Sequence, residues 1–373
     1  MQLSPSKKNC RTEVLSELTL NHDAFISNLF AKSDKSSIPL SGSFELTSRC
    51  PLNCRMCYIH RKENDCRAIG LEKDTEWWLR LAEEARNAGM LMLLLTGGEP
   101  LLRKDFEEIY LGAKKLGLLL SVNTNGVLIN DKKIKLFADN PPQRLNITLY
   151  GTSEETYSAL CGNGEAYSKT VNAIKELKKA GVAVKINYSI TPYNSGDSAE
   201  AYDFAKSLGI PIQSVSYIFS PVRAYGDAVR LSAEDAAKAN FEWRRRVLGD
   251  EDMRKFIRFR QGASEDFCGE RINCRAALST FWVTWDGLMT PCGMMTSPSV
   301  EIKNFSSAWQ YLTGERQKIL LPKECGECPL RKNCDMCAAV SMAECGRADS
   351  VPPYACKKAH EYQKLCNDFL SGQ

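Results

Sequence analysis

The chain predicts an α/β fold, a partial (βα)6 barrel followed by a small cysteine-rich domain. Three observations carry that expectation. Strand-like and helix-like segments alternate six times between Ser43 and about Ser220. Gly117 and Gly181 stand just past two of the helical patterns, where a left-handed cap is wanted. Ten of the sixteen cysteines lie after residue 267, so the far end of the chain has a chemistry of its own.

Taken in order, residues 1–42 form a helical leader. Its pattern runs from about Val14 to Phe30 and ends in the polar run Lys32 to Ser37 before Pro39. It is too short for a separate recognition domain and is expected to act as a lid or strap. The barrel occupies 43–220. Its strands are expected at 43–49, 90–96, 118–124, 145–150, 182–190 and 212–219. Helices are expected at 74–88, 102–116, 130–138, 165–180 and 198–208. Tyr167, Val171, Ile174 and Leu177 make one stripe at helical spacing. Such alternation implies parallel strands with right-handed crossovers, and six repeats fall short of a closed eightfold barrel. Residues 221–262 are expected to be a solvated, basic linking helix. Arg244, Arg245, Arg246, Arg254, Lys255, Arg258 and Arg260 are offset there by acidic neighbours, and an acidic peptide could use the arginines. Residues 263–373 make the cysteine-rich domain.

The strands also alternate in polarity. Val182, Val184, Ile186, Tyr188 and Ile190 interleave with Ala183, Lys185, Asn187 and Ser189, and Leu145, Ile147 and Leu149 with Asn146, Thr148 and Tyr150. Ser121, Asn123 and Asn125, and Glu45 and Thr47, continue the polar set on other strands. With helices outside, the apolar set packs against them and the polar set faces the lumen. A filled barrel interior is normally branched aliphatic, and a buried polar group without a partner costs about 1–3 kcal/mol. A wet or ligand-filled cavity is therefore expected; solvent exposure of these faces is the alternative, against the habit of parallel sheets to be covered on both sides.

Composition is globular, with 43% hydrophobic and 25% charged residues. A net charge of +4 compels neither a nucleic-acid nor a membrane partner. The polar N-terminus lacks the apolar core of a signal peptide, so a cytoplasmic protein is expected. Cysteine clusters in such a protein point to metal sites rather than disulfides.

The chemistry centres on Cys50-Pro51-Leu52-Asn53-Cys54-Arg55-Met56-Cys57. Three thiolates in eight residues with no fourth nearby suit a 4Fe–4S cluster with one open iron. An incomplete zinc knuckle or a chance grouping of surface thiols is the alternative. Thr96-Gly97-Gly98-Glu99-Pro100 follows the apolar run Met90 to Leu95, at the C-terminal rim of a strand where α/β barrels keep their function. Paired glycines admit close approach, and Glu99 can accept from an ammonium.

Together these motifs resemble the radical SAM enzyme family, whose Cys-x3-Cys-x2-Cys spacing this is. Met56 stands where an aromatic residue is usual. The resemblance implies that the open iron chelates S-adenosylmethionine and that reduction splits it to a 5′-deoxyadenosyl radical. It assigns Gly97, Gly98 and Glu99 to the cofactor, with Met56, Asn125, Thr148, Lys185 and Asn187 as further contacts; a structural lumen role is the alternative for the last four. The later cysteines, Cys274, Cys292, Cys325-x2-Cys328-x5-Cys334-x2-Cys337 and Cys356, resemble the SPASM extension of that family. By resemblance one auxiliary cluster takes Cys268, Cys274, Cys292 and Cys337, and the other Cys325, Cys328, Cys334 and Cys356. That makes three 4Fe–4S clusters in all. The spacing leaves open whether Cys345 replaces Cys337, and a zinc knot at Cys325, Cys328, Cys334 and Cys337 is a rival. Cys10, Cys66, Cys161 and Cys366 read as ordinary thiols. Trp285 to Cys292 reads as a hairpin with Asp286-Gly287 at its corner, and Phe281, Trp282 and Trp285 as an apolar cover for a cluster.

The implied fold is a partial (βα)6 TIM-like barrel with a cluster-binding domain after it. The implied activity is modification of a ribosomally made peptide by hydrogen abstraction, giving a crosslink, thioether, epimer or oxidised residue. Such an enzyme needs a reductant such as flavodoxin or ferredoxin, and here leader binding is expected to need a separate recognition protein or the barrel rim. The alternative is a radical dehydrogenase of a small metabolite. A sulfatase-maturing role fits less well, because Gly293 stands where that subgroup has aspartate after the equivalent of Cys292. A pure electron carrier would need no cofactor cavity.

Overall fold

The computed structural model describes residues 24–59, 61–224, 226–262, 271–272 and 274–372. The start of the leader pattern, Cys10 and Cys268 lie outside them. Helix α1, residues 24–36, takes in most of the polar run expected to end it. The reason is tertiary. Asp34 accepts from Ser279 and pairs with Arg275 at 3.2 Å. Arg275 also lies 4.5 Å from the Phe30 ring, and Trp309 Nε1 donates to the Ser37 carbonyl at 2.8 Å. The helix is strapped onto the C-terminal part of the chain.

Strand β1 (Ser41–Glu45) follows, then the short parallel pair β2 (Arg49–Cys50) and β3 (Arg61–Lys62). Next come α2 (Cys66–Leu71), α3 (Thr75–Asn87), β4 (Met92–Thr96), α4 (Phe106–Lys115), β5 (Leu119–Thr124), α5 (Asp131–Asp139), β6 (Arg144–Thr148), α6 (Glu154–Cys161), α7 (Ala166–Lys179), β7 (Val184–Ser189), α8 (Ser198–Ser207) and β8 (Ile212–Val215). The strands β1-β4-β5-β6-β7-β8 lie side by side in that order, all parallel. All six expected strands and all five expected helices are present. Helix α6 is additional: Ser153 caps its start by accepting from Thr156 N–H, and Gly162 ends it at φ 71°. It is too short to show a full stripe.

The alternation of the strands is realised in their packing. Leu145, Ile147, Ile186 and Tyr188 are fully buried against the helices, in a core with Trp78, Phe106, Tyr110 and Phe137. Asn146, Thr148, Lys185 and Asn187 point the other way and are half-buried.

After β8 the chain runs into α9 (Ala233–Gly262), β9 (Thr280–Val283), β10 (Leu288–Thr290), β11 (Val300–Glu301), α10 (Phe305–Arg316), α11 (Lys323–Gly326), α12 (Ala338–Cys345) and α13 (Pro353–Ser371). The sheet does not stop at the barrel. Strand β9 pairs in parallel with β1, Phe44 opposite Val283, and the β9–β10 hairpin turns at Gly287, φ 90°. Phe281 is therefore a core residue rather than a cluster cover. It packs against Phe44, Phe305 and Trp309.

The linking helix differs from its expected solvated form. Gly249 breaks α9 with φ 77°, and both halves lie along α13, burying Phe241, Met253 and Ile257 with Tyr362 and Cys366. The kink rotates one half against the other, so no continuous stripe marks the buried face in the sequence. Several of its arginines have partners within the chain. Arg244 lies over Phe256 at 4.4 Å and Arg254 over Phe369 at 4.4 Å, and Arg246 pairs with Asp203. A guanidinium over an aromatic face is attracted by the ring's quadrupole.

Candidate active site

The cysteine loop leaves the C-terminal end of β1 and is clasped from two sides. From β4, Gly98 N–H donates to Thr47 O at 2.7 Å and Glu99 N–H to Arg49 O at 2.8 Å. A Cβ on Gly97 would come within 2.3 Å of Thr47 O, and one on Gly98 within 2.4 Å of Arg49 O. The paired glycines thus admit the chain's own backbone. From α6, the carbonyls of Cys161 and Leu160 accept from Asn53 N–H at 2.9 Å and Arg55 N–H at 3.0 Å. A helix's last carbonyls lack internal partners, and here the loop supplies them. Arg49 is pinned in turn by Glu72 at 2.7 Å.

Glu99 is fully buried. Its oxygens accept from Leu101 N–H at 3.0 Å, Thr124 Oγ1 at 2.9 Å and Asn125 N–H at 2.8 Å. Burial pushes its carboxyl up to about 7 despite these donors. Asn125 reaches the cysteine loop directly, its Nδ2 lying 3.4 Å from Cys50 Sγ.

Two of the thiols are raised by their surroundings. Burial raises Cys50, with help from the charges of Glu99, Cys54 and Cys57. Cys54 is raised by a hydrogen bond with Cys161 and then by burial. Cys161, which reads as an ordinary thiol in the sequence, is a neighbour of the triad. Thiolates crowded this way need a cation between them, so the donor set fits an iron–sulfur group.

Cys50, Cys54, Cys57, Met56, Gly98 and Thr148 line a cavity of about 340 Å³ whose wall also includes Tyr217, Phe219 and Met294. A second cavity of about 380 Å³, which shares Thr148 with the first, is lined by Asn146, Lys185, Asn187 and Gln213. The structure therefore brings Met56, Gly98 and Thr148 to the cysteines and sets Lys185 and Asn187 next door. Gly97, Glu99 and Asn125 brace the loop from behind. Lys185 donates to Gln213, and its ammonium is lowered by burial and then by Arg144.

The later cysteines form two groups. Cys325, Cys328, Cys334 and Cys356 surround one small cavity. Cys274 and Cys337 both add charge at Cys292, whose thiol burial pushes up to about 11. Cys345 belongs to neither group; its thiol lies 3.5 Å from Val351 O. Cys337, which a zinc knot would need, does not line the cavity of the first group. Among the described residues, no three His, Cys, Asp or Glu side chains form a ready-made metal-ligand set. Arg316 organises the loop before β9 by donating to the carbonyls of Ile272, Cys274 and Ala276 at 2.8–2.9 Å.

A third lumen feature joins distant segments. Glu45, fully buried at the end of β1, accepts from Arg223 Nη2 at 3.0 Å and Trp282 Nε1 at 3.1 Å. Burial raises its carboxyl. The backbone of Val222 and Arg223 donates to Tyr58 O, just past Cys57. The polar face of β1 pointed to Glu45; nothing local in the sequence announces Arg223 or Trp282 as its partners. The Trp282 ring also fills the space beside Gly293, 2.9 Å from where a Cβ would lie, so no side chain fits there without a shift.

Residues 44–205 match the model of the Radical SAM superfamily. Over 171 residues, 46% of this chain, the sequence is 29% identical to the PqqA peptide cyclase of Granulibacter bethesdensis. That match spans 45% of the relative's length. Streptococcus suis SuiB bound to its precursor peptide SuiA shares the fold with a TM-score of 0.68 at 18% identity, over 95% of this chain and 83% of that one. So does anSMEcpe with bound AdoMet, with a TM-score of 0.69 at 18% identity, over 90% and 99% of the two chains. Among the described residues, no helix is long and apolar enough to cross a membrane.

Proposed function

We propose that this chain, whose residues 44–205 match the Radical SAM superfamily, modifies a ribosomally made peptide, forming a crosslink, thioether, epimer or oxidised residue. The observation that carries this reading is the three-thiol loop at the mouth of a lumen with a polar floor. The kinship to a peptide cyclase supports the substrate class. In this reading Cys50, Cys54 and Cys57 hold a 4Fe–4S cluster, and the two later cysteine groups, with Cys268, hold two more. When bound, the first cluster supplies the electron that cleaves S-adenosylmethionine to the radical that takes hydrogen from the peptide.

The chain's own residues do the rest. Gly98 and the α6 carbonyls fix the loop, Asn125 donates toward Cys50, and Glu99 holds the Asn125 backbone. Thr148, Lys185 and Asn187 offer donors and acceptors to a polar ligand in the lumen. Tyr217, Phe219 and Met294 give the mouth an apolar wall. A reductant such as flavodoxin or ferredoxin delivers the electrons, and the leader of the peptide is bound by a separate protein or by the barrel rim.

The test is anaerobic incubation with S-adenosylmethionine, reductant and candidate precursor peptides, read by mass spectrometry. A mass change in the peptide with release of 5′-deoxyadenosine is expected. Unmodified peptides beside an oxidised small alcohol would replace this reading with a metabolite dehydrogenase. No 5′-deoxyadenosine, with zinc in place of iron, would end both.

A further inference from the structure

One wall of the second thiol group is a cation. Cys325, Cys328, Cys334 and Cys356 share their cavity with Arg331 and His360. Arg331 opens the single turn Arg331–Asn333, whose backbone is tied to the cysteines on either side. Arg331 N–H donates to Cys328 O at 3.0 Å, and Cys334 N–H donates to Arg331 O at 3.3 Å. The turn that spaces two thiols therefore also sets the guanidinium against their cavity. Its Nε is buried without a hydrogen-bond partner. A buried donor left unmade costs about 1–3 kcal/mol, more when charged, so the position calls for an anion.

Among the described residues no carboxylate pairs with Arg331. Asp335, the acid next to Cys334, is taken by the buried Lys358.

We propose that Arg331 is a positioning residue that sets the reduction potential of the auxiliary iron–sulfur site at Cys325, Cys328, Cys334 and Cys356, supplying a fixed positive charge at its wall. The inference rests on the reading that this cysteine group holds a cluster. Reduction adds negative charge to a cluster, so a nearby cation stabilises the reduced form and raises its potential; net charge and hydrogen bonds at sulfur are the protein's usual means of doing so.

The experiment is a potentiometric titration followed by electron paramagnetic resonance. It uses the full chain, reconstituted anaerobically, with Cys50, Cys54 and Cys57 replaced by alanine so that only auxiliary signals remain. Iron and zinc are counted first. The parent is expected to hold about eight irons. Arg331→Met should keep that iron, while the ratio of reduced to oxidised cluster at a fixed poise falls at least about tenfold, about 59 mV for one electron. Arg331→Lys, which keeps the charge, should stay within about threefold of the parent.

An unchanged potential in Arg331→Met at full iron overturns the proposal. So does an equal fall in the Lys and Met variants, which would make shape rather than charge responsible. Should Arg331→Met lose iron, Arg331→Gln is read in its place; iron loss in all three variants assigns Arg331 to holding the site together and also overturns it. Zinc or missing iron in the parent overturns the cluster reading and this inference with it, and is recognised before any substitution at Arg331.

Discussion

Replacing Gly98 with alanine puts a methyl group where backbone already is. The added Cβ would stand 2.4 Å from Arg49 O, 2.7 Å from Ser48 O and 2.8 Å from Arg49 C. None of these is the loose end of a side chain, so the segment 47–49 must move. Two hydrogen bonds oppose that movement, Gly98 N–H to Thr47 O and Glu99 N–H to Arg49 O. Overpacking costs about 1–3 kcal/mol, and losing two hydrogen bonds about 0.5–1.5 kcal/mol each. The expected destabilisation is therefore about 2–6 kcal/mol. Because Cys50 directly follows the displaced segment, the first cluster should suffer most, with iron falling from about twelve to about eight per chain. Gly196→Ala is the control: nothing lies within 4 Å of its added Cβ, and it should stay within about 0.5 kcal/mol of wild type. Anaerobic urea denaturation and an iron assay read both. A Gly98→Ala chain as stable and as iron-rich as the control would refute the argument that these glycines admit protein backbone.

Cys345→Ala should keep all iron, whereas Cys337→Ala should lose about four irons; the reverse in an iron assay would reassign the ligand. Arg316→Ala removes a buried cation from three carbonyls at 2.8–2.9 Å, and hydrogen bonds to charged groups contribute about 1.5–3 kcal/mol each. A loss of at least about 3 kcal/mol in denaturant unfolding is expected, and a neutral result would mean the loop carrying Cys274 is held by something else. Glu99 gives a pH signature. Its carboxyl, at 4.5 when unfolded, stands at about 7 in the fold, so the native state binds the proton more tightly. That contribution is whole below pH 4.5 and is lost as pH rises through 7, about 3 kcal/mol in all. Stability of the iron-free chain should decline over that window, and Glu99→Gln should flatten the decline; matching slopes would show that Glu99 does not titrate there.

The barrel was legible because its signals are local. Val184, Ile186 and Tyr188 alternate with Lys185, Asn187 and Ser189, and a period of two survives whatever the strand packs against. The three-thiol loop and the glycine pair were legible for the same reason, being contiguous in the chain. The buried face of α9 was not, since Gly249 resets the helical phase in mid-segment. Nor was the strap: the polar residues of α1 look like a helix end until Arg275, Ser279 and Trp309, about 240 residues or more away, give them partners.

The order of residues by itself determined the strands, the face each turns to the lumen and the spacing of every cysteine, because backbone geometry and side-chain polarity act over a few positions. Only the folded chain decided which thiols meet. Cys161 comes to Cys54, Cys337 joins Cys274 and Cys292, and Cys356 closes on Cys325. Trp282 and Arg223 likewise converge on Glu45 across 237 and 178 residues. Those meetings depend on how the C-terminal strand β9 adds to β1 and how α13 lies along α9, packing choices made by apolar area far from the groups that they bring together.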